Sequence, residues 1–208
     1  MKEPEKAGFL TAASDAAYDA LWESFRQGDT EAFEDMFRQY YPVLLNYGMR
    51  ITRNEAEAKD CVQSLFLQIW ERRQFLGPTT SARNYLLASL RRSILKKIGG
   101  IRQVYTEDFP DFQAELSIET KLIQSQVEAE NARLLKEAFD KLPARQKEAI
   151  FLRFYEDQDF DEIARIMNIS TRAVYKLIYK GLDNLQSQLG KNNIDLAYLL
   201  VLLLIPVG

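Results

Sequence analysis

Two groups of basic, aromatic and amide side chains in this sequence are suited to binding nucleic acid. The first group lies between Arg83 and Arg102, where no acidic residue occurs. Cations follow a phosphate backbone while aromatic rings stack on bases, so this group predicts a groove for single-stranded or opening DNA. On charge alone, a solvated helix face explains it equally well. The candidate residues are Arg83, Asn84, Tyr85, Arg91, Arg92, Lys96 and Lys97.

The second group lies on a predicted helix-turn-helix. Asp159 and Glu162 have capping-box spacing, and Ser170 follows a break at Asn168 and can cap a second helix. Apolar residues on one face of that helix would hold it to its partner while polar residues enter the major groove. Paired amphipathic helices without DNA are the competing interpretation. The candidate contacts with duplex DNA are Ser170, Thr171, Arg172, Tyr175, Lys176, Tyr179 and Lys180.

A third candidate surface lies on a helix predicted from Asn54 to Arg73. Its inward stripe is apolar, with Ala58 and Leu65 among its members. Residues outside the stripe mix polar and large apolar side chains, which either complete a core or anchor a protein partner. These residues are Asp60, Gln63, Ser64, Leu67 and Trp70.

The composition argues against an enzyme. The chain has no histidine, and no Gly-rich phosphate loop is visible, so we expect no catalytic residues, no metal site and no cofactor. The single cysteine, Cys61, excludes internal disulfides and indicates a reducing compartment. The first residues lack the apolar core of a secretion signal, which predicts a cytoplasmic protein. The net charge is −3, so any DNA-binding charge must be local.

Helical spacing of apolar residues throughout the chain predicts an all-α fold of two small helical domains. We expect the first domain at 15–100, closed by Gly99 and Gly100, and the second at 126–190. An acidic linker at 101–125 joins them, and an apolar tail follows at 191–208. The first domain begins with a helix at 15–26 and contains a loop at 74–81. Pro42 is expected to interrupt and kink its second helix.

Three motifs resemble extracytoplasmic-function (ECF) sigma factors. The run from Ala58 to Trp70, AKDCVQSLFLQIW, is similar to their polymerase-binding helix, which typically reads AED-VQ-VF--LW. The run from Leu142 to Lys147, with FLRF after it, resembles the opening of their C-terminal domain. The segments DEIA and STRAV resemble its helix-turn-helix. The match covers residues 21–189, and the Ser-Thr-Arg form is most similar to the iron-citrate-type members abundant in Bacteroidetes.

The resemblance implies a bacterial transcription initiation subunit, with sigma region 2 and sigma region 4 as its domains. The third surface would bind the core RNA polymerase, and the first group would recognise and melt the −10 promoter element. The second group would bind the −35 element as duplex, and the linker would run toward the RNA exit path. Core polymerase, promoter DNA and a membrane-bound anti-sigma factor are the expected partners, with no small-molecule substrate.

Some features depart from the family pattern or lie outside it. Tyr175 and Leu177 stand where other subgroups frequently have basic residues, so the promoter sequence does not follow from the resemblance. The segment from Ile194 to Gly208 is apolar but too short to cross a bilayer. It either folds onto this protein, binds a partner or contacts a membrane. Two other functions stay open: a stand-alone dimeric helix-turn-helix regulator, and an interaction protein without promoter activity.

Overall fold

Side-chain caps and left-handed residues set the ends of several helices. The computed structural model describes residues 20–103, 112 and 126–189. The Asp29 carboxylate accepts hydrogen bonds from the Glu31 and Ala32 amides, and the Asn54 side chain accepts one from the Glu57 amide. Within this part of the chain the helices are α1 (20–26), α2 (Thr30–Thr52), α3 (Glu55–Glu71), a short 3-10 helix (Arg73–Phe75), α4 (Ala82–Gln103), α5 (Gln126–Asp140), α6 (Ala144–Phe154), α7 (Phe160–Met167) and α8 (Thr171–Leu189).

The described residues form helices and connecting segments without strands, which confirms the all-α prediction. The chain divides into two compact units, residues 1–98 and 99–208. In the first unit α2 packs against α3. The expected inward residues of α3, including Ala58 and Val62, are buried, as are Leu87 and Leu90 of α4. This three-helix core holds α3 and α4 in fixed positions for the surfaces they carry.

Aromatic rings extend the core of the first unit between α1, α2 and α3. Trp70 lies 4.8 Å from Phe33 and 6.2 Å from Phe25, measured between ring centroids. Phe66 lies 4.8 Å from Phe37, which is 37% exposed at the edge of the cluster. Buried aromatic pairs stabilise a fold by their large apolar area and by ring contacts. The cluster therefore fixes α1 against the two longer helices.

The second unit is organised around α8, against which α5, α6 and α7 all pack. Gly181 of α8 permits close approach to α6, because a Cβ there would lie 2.7 Å from Ile150 Cδ1. Phe112, from the segment expected to be a linker, is fully buried, and its ring centroid is 5.6 Å from that of Phe151. That one residue of the acidic segment therefore belongs to the packed interior.

Two expected breaks are absent from the described helices. Residues 99 and 100 do not end the last helix of the first predicted domain, because α4 continues through both glycines to Gln103. Pro42 does not interrupt α2, which continues to Thr52 with Tyr40 and Leu44 buried on either side. Packing of these flanking residues outweighs the single amide hydrogen bond that proline removes. Outside the described residues lie the start of the first predicted helix, the rest of the acidic segment and the apolar tail.

Candidate nucleic-acid interfaces

A cavity of about 510 Å³ lies between α3 and α4 in the first unit. Tyr85, Arg92 and Lys96 contribute to it from the sequence-predicted group. No acidic residue lines this cavity, so three cations share it without a competing charge. The lining residues are Leu65, Gln68, Ile69, Arg72, Leu76, Tyr85, Ser89, Arg92, Ser93 and Lys96.

Four polar residues of this cavity were absent from the sequence prediction: Gln68, Arg72, Ser89 and Ser93. A signal for the two serines was present, because positions 85, 89, 92, 93 and 96 share one face of a helix. The hydroxyls and the amide add hydrogen-bonding groups beside the cations. This combination can hold both a phosphate and the edge of an unstacked base.

Two members of the predicted group lie in the interior. Asn84 is 7% exposed and Arg91 is 3% exposed, so the structure does not bring them to the cavity surface with their neighbours. Both fall in the buried stripe of α4, which includes Leu87 and Ile94 at helical spacing. That spacing was readable in the sequence. Arg83 is half-buried, whereas Lys97 is exposed outside the cavity lining.

The loop before α4 is held in place by α1. The Trp22 indole donates to the Gly77 carbonyl over 3.1 Å, and Arg26 Nε donates to the Leu76 carbonyl over 2.6 Å. The Trp22 ring also contacts Tyr85 edge-on, with 5.2 Å between centroids. Helix α1 therefore fixes both the loop and one aromatic wall of the cavity.

Phe75 was also absent from the sequence prediction. It ends the 3-10 helix directly before the loop and is 83% exposed, more than any other large apolar side chain among the described residues. An exposed ring beside a cationic cavity is available for base stacking.

The exposed face of α3 carries most of the third predicted surface. Asp60, Gln63 and Ser64 are exposed, and Leu67 is 62% exposed. Trp70 behaves differently, because it is half-buried in the aromatic cluster. The Arg73 guanidinium covers its ring at 4.3 Å. Leu67, rather than Trp70, is thus the apolar side chain that this face offers to a partner.

The helix-turn-helix prediction matches the local geometry of α7 and α8. The Asp159 carboxylate accepts from the Glu162 amide over 2.7 Å, and the Glu162 carboxylate accepts from the Asp159 amide over 2.8 Å. Asn168 closes α7 with φ 54°. Ser170 Oγ accepts from the Ala173 amide over 3.2 Å, which makes it the cap of α8. The turn is therefore fixed by its own side chains.

The predicted DNA-contact residues of α8 divide into two classes. Ser170 is a cap, and the Thr171 hydroxyl donates to Asp161 over 2.7 Å, so both hydroxyls hold the turn. The other five are exposed on one broad face, opposite buried residues such as Val174 and Ile178. They are Arg172, Tyr175, Lys176, Tyr179 and Lys180. Such a face can enter a major groove.

The remaining electrostatic features are structural. The Arg133 hydrogen bond lowers the pKa of Glu130 on α5, and Lys59 lowers the pKa of Glu55 in the same way. Burial raises the pKa of the Cys61 thiol. In the described residues, no cluster of acidic or cysteine side chains could hold a metal ion. No described helix is long and apolar enough to span a bilayer.

Both units match known sequence families. Residues 36–101 match sigma-70 region 2, and residues 132–185 match sigma-70 region 4. The chain is 26% identical over 175 residues to the RNA polymerase sigma factor CarQ of Myxococcus xanthus, covering 84% of this chain and 99% of the relative. It is 23% identical to the ECF RNA polymerase sigma factor RpoE of Cereibacter sphaeroides, covering 77% and 88% respectively.

A solved structure, that of CnrH in complex with the cytosolic domain of CnrY, is similar in fold. Its TM-score is 0.56 at 18% identity, and the match covers 84% of this chain and 98% of that chain. The cationic cavity lies within the region 2 match, and the exposed face of α8 lies within the region 4 match. The chain belongs to the sigma-70 family and is a promoter-recognising sigma factor of the ECF type.

Proposed function

We propose that this sigma factor binds core RNA polymerase through α3, captures one strand of the −10 element between α3 and α4, and binds the −35 element as duplex through α8. One observation carries the proposal: each family-matched unit presents its own group of cations and aromatic rings. In the first unit they lie at a cavity with no acidic lining residue, and in the second they lie on the acid-free stretch between Glu162 and Asp183. The protein needs no catalytic group for this role, because polymerase supplies the chemistry. Phosphate contacts provide affinity, and base contacts provide choice of promoter.

The polymerase contact is assigned to Asp60, Gln63, Ser64 and Leu67. These four residues form an exposed patch on α3, and an apolar anchor surrounded by polar groups is typical of protein interfaces. Trp70 is assigned a supporting role, because its ring packs behind α3 against Phe33.

The −10 contact is assigned to the cavity and its rim. Arg72, Arg92 and Lys96 would hold phosphates, while Tyr85 and Phe75 would stack on bases that have left the duplex. Asn84 and Arg91 would support α4 from the interior rather than contact DNA.

The −35 contact is assigned to the five exposed residues of α8. The three cations Arg172, Lys176 and Lys180 would meet phosphates or guanine edges, and the two tyrosines would meet uncharged groups. Ser170 and Thr171 would fix the approach of α8 by holding the turn.

Further parts of the proposal rest on the sequence patterns and on the family resemblance. We assign the chain to the iron-citrate-type subgroup, place it in the cytoplasm, and expect a membrane-bound anti-sigma factor as its inhibitor. The domain limits 15–100 and 126–190, with the acidic linker and apolar tail around them, belong to the same proposal.

Run-off transcription with purified core polymerase tests the main proposal. Initiation should depend on this chain and fall sharply for Leu67→Asp, because a charge would be buried at the polymerase contact. Leu67→Met keeps an apolar side chain of similar size and should retain activity. Binding to a palindrome without polymerase would instead support a stand-alone dimeric regulator. Binding to polymerase without initiation on any template would support an interaction protein.

A further inference from the structure

We propose that Phe160 is a positioning residue for Tyr175, and that their stacked rings make Tyr175 a determinant of base choice at the −35 element. The inference rests on the proposed function of α8 as the −35 contact. Phe160 belongs to α7, and nothing in the sequence patterns assigned it a role.

The two rings form a nearly parallel stack across the turn. Their centroids are 4.0 Å apart, and the angle between the planes is 7°. Tyr179 continues the row one turn along α8, with its centroid 6.1 Å from Tyr175 and an interplanar angle of 10°. Tyr175 is nevertheless 42% exposed and Tyr179 is 58% exposed. One side of the row is therefore supported by protein, while the tyrosine edges stay open to a ligand.

Phe160 is itself held firmly enough to serve as a support. It is the first residue of α7, directly after Asp159 of the reciprocal cap. The guanidinium carbon of Arg153, from α6, lies 5.5 Å from its ring centroid, and Arg153 Nη1 donates to the Gln158 carbonyl over 2.9 Å. Three helices thus converge on this ring. A half-buried ring fixed in this way restricts the rotamers of the side chain stacked upon it.

The charges around Tyr175 favour DNA as the ligand of this row. Arg172 and Lys176 are exposed beside it on the same helix and attract phosphate. The acidic neighbours of Phe160, Asp159 and Asp161, each accept a hydrogen bond within the turn. A tyrosine held among phosphate contacts can present its ring edge to a thymine methyl or its hydroxyl to a base edge. Neither contact releases counterions, so Tyr175 should affect base choice without changing the dependence of binding on salt.

The test uses holoenzyme formed from the full chain and core polymerase. Its affinity is measured for a promoter whose −35 bases are substituted one at a time, at several salt concentrations. Tyr175→Ala should reduce discrimination at one or two base positions by roughly five- to hundred-fold, with the salt slope unchanged. Phe160→Leu should weaken discrimination at the same positions, because the stacking ring is lost. Phe160→Tyr keeps an aromatic ring and should discriminate like the wild type. Lys176→Ala should instead lower the salt slope by about 0.9 at all sequences.

A double variant separates positioning from folding. If Phe160 acts through Tyr175, Phe160→Leu should change the base pattern no further in a Tyr175→Ala chain. The inference is overturned if Phe160→Leu discriminates among −35 bases as the wild type does. It is also overturned if Tyr175→Ala does so. If Phe160→Leu unfolds the second unit, the base patterns of Tyr175→Ala and Phe160→Tyr still test the inference. A Phe160→Tyr pattern that differs from the wild-type pattern would contradict support by the ring alone. Wild-type holoenzyme that ignores every −35 substitution would refute the proposed function itself.

Discussion

Gly181 shows how one hydrogen atom in place of a side chain sets the distance between two helices. A Cβ at this position would lie 2.7 Å from Ile150 Cδ1 and 3.5 Å from Gln146 Cβ. Ile150 is fully buried, so its terminal methyl group has little room to move. The position of α8, and therefore of its exposed face, depends on the lack of a side chain at Gly181.

Gly181→Ala should destabilise the protein. The clash with Ile150 costs about 1–3 kcal/mol, and the better helix propensity of alanine returns about 1 kcal/mol, so the net loss should be about 1 kcal/mol. Urea unfolding measures it. Ile150→Val removes the clashing methyl group, so Gly181→Ala should cost less in that background.

Gly48→Ala is the matched control. The nearest atom to its Cβ would be Ala58 Cβ at 3.5 Å, an ordinary contact, so the gain in helix propensity should keep this variant at least as stable as the wild type. Equal losses at both glycines would contradict the packing argument.

Lys96 tests the cavity at the level of a single charge. If its ammonium group holds a phosphate, Lys96→Ala should weaken binding of single-stranded −10 DNA by holoenzyme and reduce the salt slope by about 0.7. Fluorescence anisotropy at several salt concentrations measures both quantities. Lys136→Ala removes an exposed charge from α5 and should leave the slope unchanged. An unaltered slope for Lys96→Ala would exclude a phosphate contact there.

At the scale of elements, caps were the most readable part of this sequence. Asp29, Asn54, Asp159 and Ser170 each mark a helix start that the structure contains, because a short polar side chain can satisfy exposed backbone amides. The glycine pair at 99 and 100 misled, since glycine weakens a helix without ending it. Local sequence signals report where a helix prefers to begin or end, whereas the continuation of a helix also depends on tertiary packing.

The cap of α7 can be tested directly. Asp159→Ala removes the side-chain half of the reciprocal cap, the acceptor of the Glu162 amide, and should lower the free energy of unfolding by about 1 kcal/mol. Thermal or urea unfolding provides the measurement. Asp159→Asn keeps an oxygen acceptor and should retain most of the stability. If the asparagine variant were as unstable as the alanine variant, charge near the helix dipole would be the larger contribution.

For the whole molecule, the local distribution of charge matters more for DNA binding than the net charge. A chain of net charge −3 still presents a cavity with three cations and a helix face with three more. The sequence located both groups because their basic residues cluster in short stretches without acidic residues. It placed Arg91 on the surface because cation type was weighed above its position in the apolar stripe. Gln68 of α3 and Arg72, which follows that helix, line the cavity only because two helices pack together, so their place there was not readable from the sequence.

Stability should be nearly independent of pH from 6 to 8. The chain has no histidine. The lowered pKa values of Glu55 and Glu130 favour the folded state above the ordinary carboxyl range, and that contribution is lost as the pH falls below this range and through the lowered pKa values. The raised pKa of Cys61 favours the folded state until the pH rises into the range where an unfolded thiol ionises. Both windows lie outside 6–8.

Urea unfolding at pH 6, 7 and 8 checks this expectation. The three free energies of unfolding should agree within about 0.5 kcal/mol. A change above about 1 kcal/mol would show that a group in the interior titrates in this range.

Both tryptophans of the chain, Trp22 and Trp70, lie in the first unit. Since the Trp22 indole is bonded to the loop at Gly77, its fluorescence provides an intrinsic optical probe of that loop. A shift in emission when a strand enters the cavity would report the loop's movement in real time without a dye. The second unit would contribute no tryptophan signal, so the kinetics of the −10 contact could be followed separately from those of the −35 contact.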